Sequence, residues 1–204
     1  MKHLIILFFA FALSNTIFAQ TTQPNFKLSI QTDLVAYTTP GGYSIWAVAQ
    51  HHQNRLALAY VNFPDRYKAI YEETGIKEND RFARIQLARH FNPETKMRNF
   101  FYGANVEYHW RELEEDGTSE VLTDNNVKLG PIIGFEWLPF SNKDNALNNL
   151  SLVIWAGPNF ILQNEEQERT FATTGSVYEA PEAVEAAVGI NISYTFFKVI
   201  RRSD

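Results

Sequence analysis

The 204-residue chain contains no cysteine. Disulfides, thiolate nucleophiles, cysteine-ligated metals and a lipidated cysteine behind a leader are thereby excluded. Beyond the N-terminus it also lacks any window of about twenty consecutive apolar residues, so no later segment can cross a membrane as a helix. Basic residues are the scarcer charge: 18 Lys and Arg stand against 23 Asp and Glu, a formal net charge of −5. Without a concentrated basic surface to neutralise phosphates, nucleic acid is not an expected partner. No repeat, low-complexity tract or linker divides the chain, and its length suits one domain.

What is there begins with "MKHLIILFFAFALSNTIFAQ". Lys2, an apolar run from Leu4 to Leu13 and the small Ala19 before Gln20 have the layout of a secretory signal peptide, with a run too short to span a bilayer. Residues 1–19 are therefore expected to be a cleaved leader, and residues 20–204 the exported domain.

The remainder alternates with period two, the signature of half-buried strands. Eight strands are expected, at residues 26–38, 42–52, 54–63, 81–91, 99–113, 126–138, 149–163 and 184–197. Several exceed the usual five or six residues of a soluble strand and match the roughly nine to eleven that a tilted strand needs to cross a bilayer. The links alternate too. Counted from the N-terminus, the odd ones are mostly long and acidic ("PDRYKAIYEETGIKEND", "EEDGTSEVLTD", "NEEQERTFATTGSVYEAPEA"), and the even ones are shorter or more turn-like. Outer-membrane barrels place long loops outside and short turns in the periplasm. In "NFPDRYKAIYEETG", Pro64 and Asp65 form a start signal and Gly75 a stop signal, and Tyr67, Ile70 and Tyr71 form one apolar stripe. A short amphipathic helix is expected in that outer loop, serving as a lid, a docking site or simple packing.

One strand face is consistently polar. It carries Lys27, Asp33, Arg84, Glu107, Arg111, Lys128 and Glu136, interspersed with glycine. Near-balanced charges among small residues suit a narrow, filled barrel interior, because a buried charge must find a partner. The opposite face carries Tyr108, Trp110, Trp137, Tyr194 and Phe196 near strand ends, where aromatic girdles meet the lipid–water boundary. The second and third strands are apolar on both faces, and their facing stays open. The leader, the eight long strands, the last strand "VGINISYTFF" and the segment "GPIIGFEWLPF" together resemble the small outer-membrane β-barrels of the OmpA/OmpX type. The resemblance spans the mature chain by pattern. It implies an all-β, eight-stranded antiparallel up-and-down transmembrane barrel in the bacterial outer membrane.

Candidate chemistry is sparse. His51 and His52 sit at a turn, and neighbours on a strand point to opposite faces, poor geometry for one metal. No metal or cofactor is expected. His109 faces inward beside Glu107 and Arg111, which suits an interior ion network. Two rivals stand beside a structural or surface-interaction role for a monomer in outer-membrane lipid, with an extracellular or envelope partner left open. In one, a lipid-modifying enzyme uses His109 as base, Glu107 to orient it and Ser44 or Ser119 as hydroxyl. In the other, a soluble lipocalin-like barrel turns its apolar faces inward around an apolar ligand.

Overall fold

The computed structural model describes residues 25–64, 76–91, 99–115, 117–140, 146–164, 168–179 and 183–199. Among these residues ten strands follow in order: β1 Phe26–Asp33, β2 Tyr43–His51, β3 Asn54–Phe63, β4 Ile76–His90, β5 Phe100–Glu115, β6 Val121–Trp137, β7 Leu150–Asn164, β8 Glu168–Thr170, β9 Val177–Glu179 and β10 Val184–Val199. Eight of them close a ring in the order β1-β10-β7-β6-β5-β4-β3-β2, with every neighbouring pair antiparallel. Successive strands of the ring are neighbours throughout, and β10 returns to β1 to remove both edges. The small hairpin β8–β9 stands apart from the ring. Four links lie at one end, here the loop end; both strand termini of the ring and the other three links lie at the turn end.

All eight expected strands are present, and three boundaries move by five residues while the others move by at most two. The first strand stops at Asp33, five residues early. Its side chain accepts a hydrogen bond from the Val35 amide and caps a 3-10 turn at Leu34–Thr38. β4 and β6 each begin five residues before the periodicity placed them, at Ile76 and Val121. Their leading stretches, "IKEND" and "VLTDN", carry polar residues on both faces and so show little hydrophobic alternation. The loop helix expected around Tyr67–Tyr71 and the leader at residues 1–19 lie outside the described residues.

Burial is inverted relative to a soluble sheet. Asp80, Asp124 and Lys128 are fully buried, whereas Ile45, Leu58, Ile85, Ile133 and Val188 are about half exposed or more. The polar face lines the ring and the apolar face is its outside. That excludes the lipocalin-like arrangement, which needed the reverse. It also settles the open pair: Ser44, Trp46, Val48 and Gln50 of β2 and Arg55, Ala57, Ala59 and Val61 of β3 face inward.

Two glycines make room for aromatic rings in the narrow lumen. A Cβ at Gly189 would collide with the ring of Trp155, its cross-strand partner, and one at Gly134 with the ring of Phe101. The β6–β7 seam is unusual. Its pairing lapses between Leu129↔Phe160 and Ile133↔Ala156, where Pro131 and Pro158 stand opposite without an amide hydrogen to donate.

Candidate functional site: the charged lumen and its mouth

The inward residues form a ladder of paired charges. At the turn end, Lys27 Nζ reaches Glu136 Oε1 and Oε2 at 2.7 and 2.8 Å, and Ser151 donates to the same carboxylate at 2.9 Å. Next, Arg55 donates to Gln86 and, at 3.1 Å, to Gln31, with its guanidinium 5.2 Å from the centre of the Phe101 ring.

Arg84 holds the middle. It reaches Glu107 Oε1 through Nε at 2.8 Å and through Nη2 at 2.7 Å, and Asn105 and Asn159 donate to the same oxygen at 2.6 and 2.8 Å. The guanidinium lies 4.5 Å from the centre of the Trp155 ring, 4.9 Å from Phe82 and 5.2 Å from Trp46, boxed by π faces. His109 is clamped between two carboxylates, with Nδ1 2.9 Å from Asp80 Oδ1 and Nε2 2.8 Å from Glu107 Oε2. Toward the loop end, Arg111 meets Asp124 at 2.5 Å and Glu78 at 3.7 Å, and Lys128 meets Glu185 at 2.7 Å.

The hairpin β8–β9 covers this end. Tyr178 of β9 accepts from Arg111 at 3.2 Å and donates to Glu78 at 3.1 Å, and Phe171, between the two small strands, is fully buried. Two carboxylates fasten the hairpin's tip. Glu120 accepts from the Ala172 and Thr173 amides at 2.8 and 2.9 Å, and Glu115 accepts from Thr174 at 2.6 Å and from Ser176. Those amide donors hold the exposed Glu120 carboxyl below its ordinary pKa.

Of the residues expected in the interior network, Lys27, Arg84, Glu107, Arg111, Lys128 and Glu136 are all inward and ion-paired. The closed ring sets their partners. Glu107 pairs with Arg84 and His109, whereas Arg111 is neutralised by Asp124. Lys128, directly opposite Glu107 in the register, reaches Glu185 instead. Asp33 accepts from the backbone amides of Val35 and Ile190 at 3.0 and 3.2 Å. Glu78, Asp80, Asp124 and Arg55 were missed. The first two lie in the polar start of β4, where only the inward parity shared with Phe82 and Arg84 marked them.

The serine–histidine arrangement is not assembled. Ser44 Oγ accepts from the Asp33 amide at 2.6 Å, and both His109 nitrogens face carboxylates. Ser119 lies in the link before β6. No group of three or more His, Asp or Glu residues suited to a metal occurs among the described residues. His51 and His52 are not splayed apart as strand neighbours would be. His52 adopts a left-handed φ of 53°, which ends the strand and brings the ring centroids to 4.4 Å.

The aromatic residues sort into two outward bands. Tyr108 and Trp110 pack edge-on at 4.8 Å near the loop end, where Tyr43 and Tyr60 also meet. Trp137, Tyr194 and Phe196 belong to the turn end, with the pairs Phe100–Phe135, Phe91–Tyr102 and Phe26–Phe197. The ring is an eight-stranded antiparallel up-and-down barrel with a polar lumen and an apolar outside. No family model matches the chain, and no curated protein matches it. Among solved structures it is similar to Neisserial surface protein A (NspA), at 12% identity and a TM-score of 0.48 over 84% of this chain and 97% of that one. It is also similar to a major outer membrane protein from Thermus thermophilus, at 11% identity and a TM-score of 0.46 over 86% of this chain and all of that one. The barrel assignment rests on the strand pairing itself.

Proposed function

We propose that this chain is a bacterial outer-membrane barrel with a structural or surface-interaction role, which presents its loop end outward and is not a diffusion pore. The observation that carries the proposal is the inverted burial: half-exposed Ile, Leu and Val around a closed ring whose charges are inside. In water such a surface would aggregate; in hydrocarbon it is the stable one, and ring closure leaves no strand edge for lipid to solvate.

The dimensions agree. On β5 the outward aromatics run from Phe100 to Trp110, about 33 Å along a strand and roughly 25 Å across the bilayer at the usual barrel tilt. The lumen supports the negative half of the proposal. Trp46, Trp155 and Arg84 fill its middle and Tyr178 spans its mouth, so a solute larger than water meets side chains throughout. Closure of both edges supports a monomer, and His109 serves to bridge Asp80 and Glu107 by hydrogen bonds without a catalytic role. The loop end, with Glu112, Glu114, Glu115 and Glu120, would face an extracellular or envelope partner.

The test is fractionation of a native host. The chain should sediment with outer membranes, require detergent for extraction and change gel mobility on boiling. Recovery of folded chain from the periplasmic wash would overturn the proposal.

A further inference from the structure

We propose a phospholipid site on the outer wall at the turn end, where His51, His52 and Arg89 hold the phosphate and a groove over Ala49 takes one acyl chain. The inference rests on the membrane assignment above and goes beyond it by naming a specific lipid contact. The strand register builds the site in rows. Phe26, His51, Asn54, Arg89 and Tyr102 stand side by side on β1 to β5. One step toward the bilayer centre, the row reads Leu28, Ala49, Leu56, Leu87 and Ala104, and the next includes Ile30, Ala47, Leu58 and Ile85.

On β2, small alanines therefore lie between the large side chains of β1 and β3. The result is a groove of about 370 Å³ lined by Phe26, Ala49, Leu56, Leu87 and Ala88, with His51, Asn54 and Arg55 also lining it. The volume falls in the range of a small-ligand pocket, which begins near 300 Å³. The polar end suits an anion. His51, Asn54 and Arg89 are exposed on the outward face, and Arg89 is oriented by a 3.2 Å bond from its Nε to Gln53.

The turn shapes the donor set. His52 holds its left-handed φ of 53° while its amide donates to Asn25 and its carbonyl accepts from Gln50. A non-glycine residue in that conformation costs energy that fixed surroundings must offset, and here it seats two imidazoles at 4.4 Å. Charge is complementary as well. Glu136, the nearby carboxylate among the described residues, points inward onto Lys27, and Lys198 is exposed at the same end. The loop end carries the acids. A phosphate diester with two tails matches this wall: its anion meets guanidinium and imidazole donors, and one tail fills the trough over Ala49.

Native mass spectrometry of the refolded barrel in detergent tests the site. Phosphatidylglycerol and phosphatidylcholine of identical chains are titrated against wild type, the H51A/R89A double variant and A49L. Wild type should retain one phosphatidylglycerol at a concentration roughly tenfold below that for phosphatidylcholine, a ratio equivalent to about 1.4 kcal/mol. The double variant should lose that preference, and A49L should lose retention of both lipids. Equal retention of the two lipids by wild type, or wild-type retention by H51A/R89A, overturns the site. H51A/R89A changes only exposed side chains, so its result stands even where A49L folds poorly. Vesicle insertion of the same samples separates the two claims: failure to insert overturns the membrane assignment, and insertion with unchanged retention overturns the lipid site alone.

Discussion

Single residues in this lumen matter through what they leave unpaired. Glu107 satisfies Arg84, His109, Asn105 and Asn159 at once, all at 3 Å or less and almost wholly buried. Replacing it with Leu strands a guanidinium in a low-dielectric interior. We expect Glu107→Leu to lower stability by about 3–5 kcal/mol, measured by urea unfolding in lipid vesicles with gel mobility as the readout. Arg84, boxed by three aromatic rings, is the cation exposed by that change, and Arg111 keeps Asp124. Gly189 acts through space. A side chain there meets the Trp155 ring, so Gly189→Val should cost about 1–3 kcal/mol in the same assay through overpacking. The inward position of Lys27, Arg84, Glu107, Arg111, Lys128 and Glu136 was legible from parity along the strands. Their partners were not, because pairing across a lumen depends on which strands closure brings face to face.

At the scale of elements, the loop-end hairpin is the part most open to solution conditions. Its tip hangs on Glu120, whose carboxylate collects two amide donors and a hydroxyl. Because that carboxyl titrates below its ordinary range when the contact is made, the contact is fully present above the ordinary glutamate pKa and is lost as pH falls through the depressed value. Hydrogen-exchange protection of the Ala172 and Thr173 amides should be measurable at pH 7 and decline as the solution is acidified below the ordinary glutamate range, while the β5–β6 ladder stays protected. Loss of protection throughout the barrel would contradict this local account. β8 and β9, three residues each, escaped a reading by alternation because such short runs carry no detectable period. The early end of β1 was equally hidden. Leu34, Val35 and Ala36 form an apolar run that reads as more strand, and the side chain of Asp33, bonding back to the nearby backbone, caps the turn that takes the chain out of the sheet.

For the whole molecule, the decisive property is which side of the sheet faces which medium. Ile85 projects outward from the middle of β4 with half its surface exposed. If that medium is hydrocarbon, Ile85→Lys should lower stability in vesicles by about 2–4 kcal/mol, measured by urea titration, because the ammonium must enter the apolar slab. Were the medium water, the same change would be near neutral and would improve solubility. The test is therefore sensitive to sign as well as size.

The sequence by itself determined the eight strands of the ring, the parity of most faces and the split between polar and apolar sides. Alternation with period two is a local property that each strand carries in full. Only the tertiary structure decided the facing of β2 and β3, where both sides are apolar and local pattern holds no information. It alone decided that Trp46 and Trp155 belong inside around Arg84, that Glu107 serves Arg84 while Lys128 turns to Glu185, and that a small hairpin stoppers one mouth. Each of these depends on ring closure, which sets residues far apart in the chain within bonding distance, and no local window of sequence records that geometry.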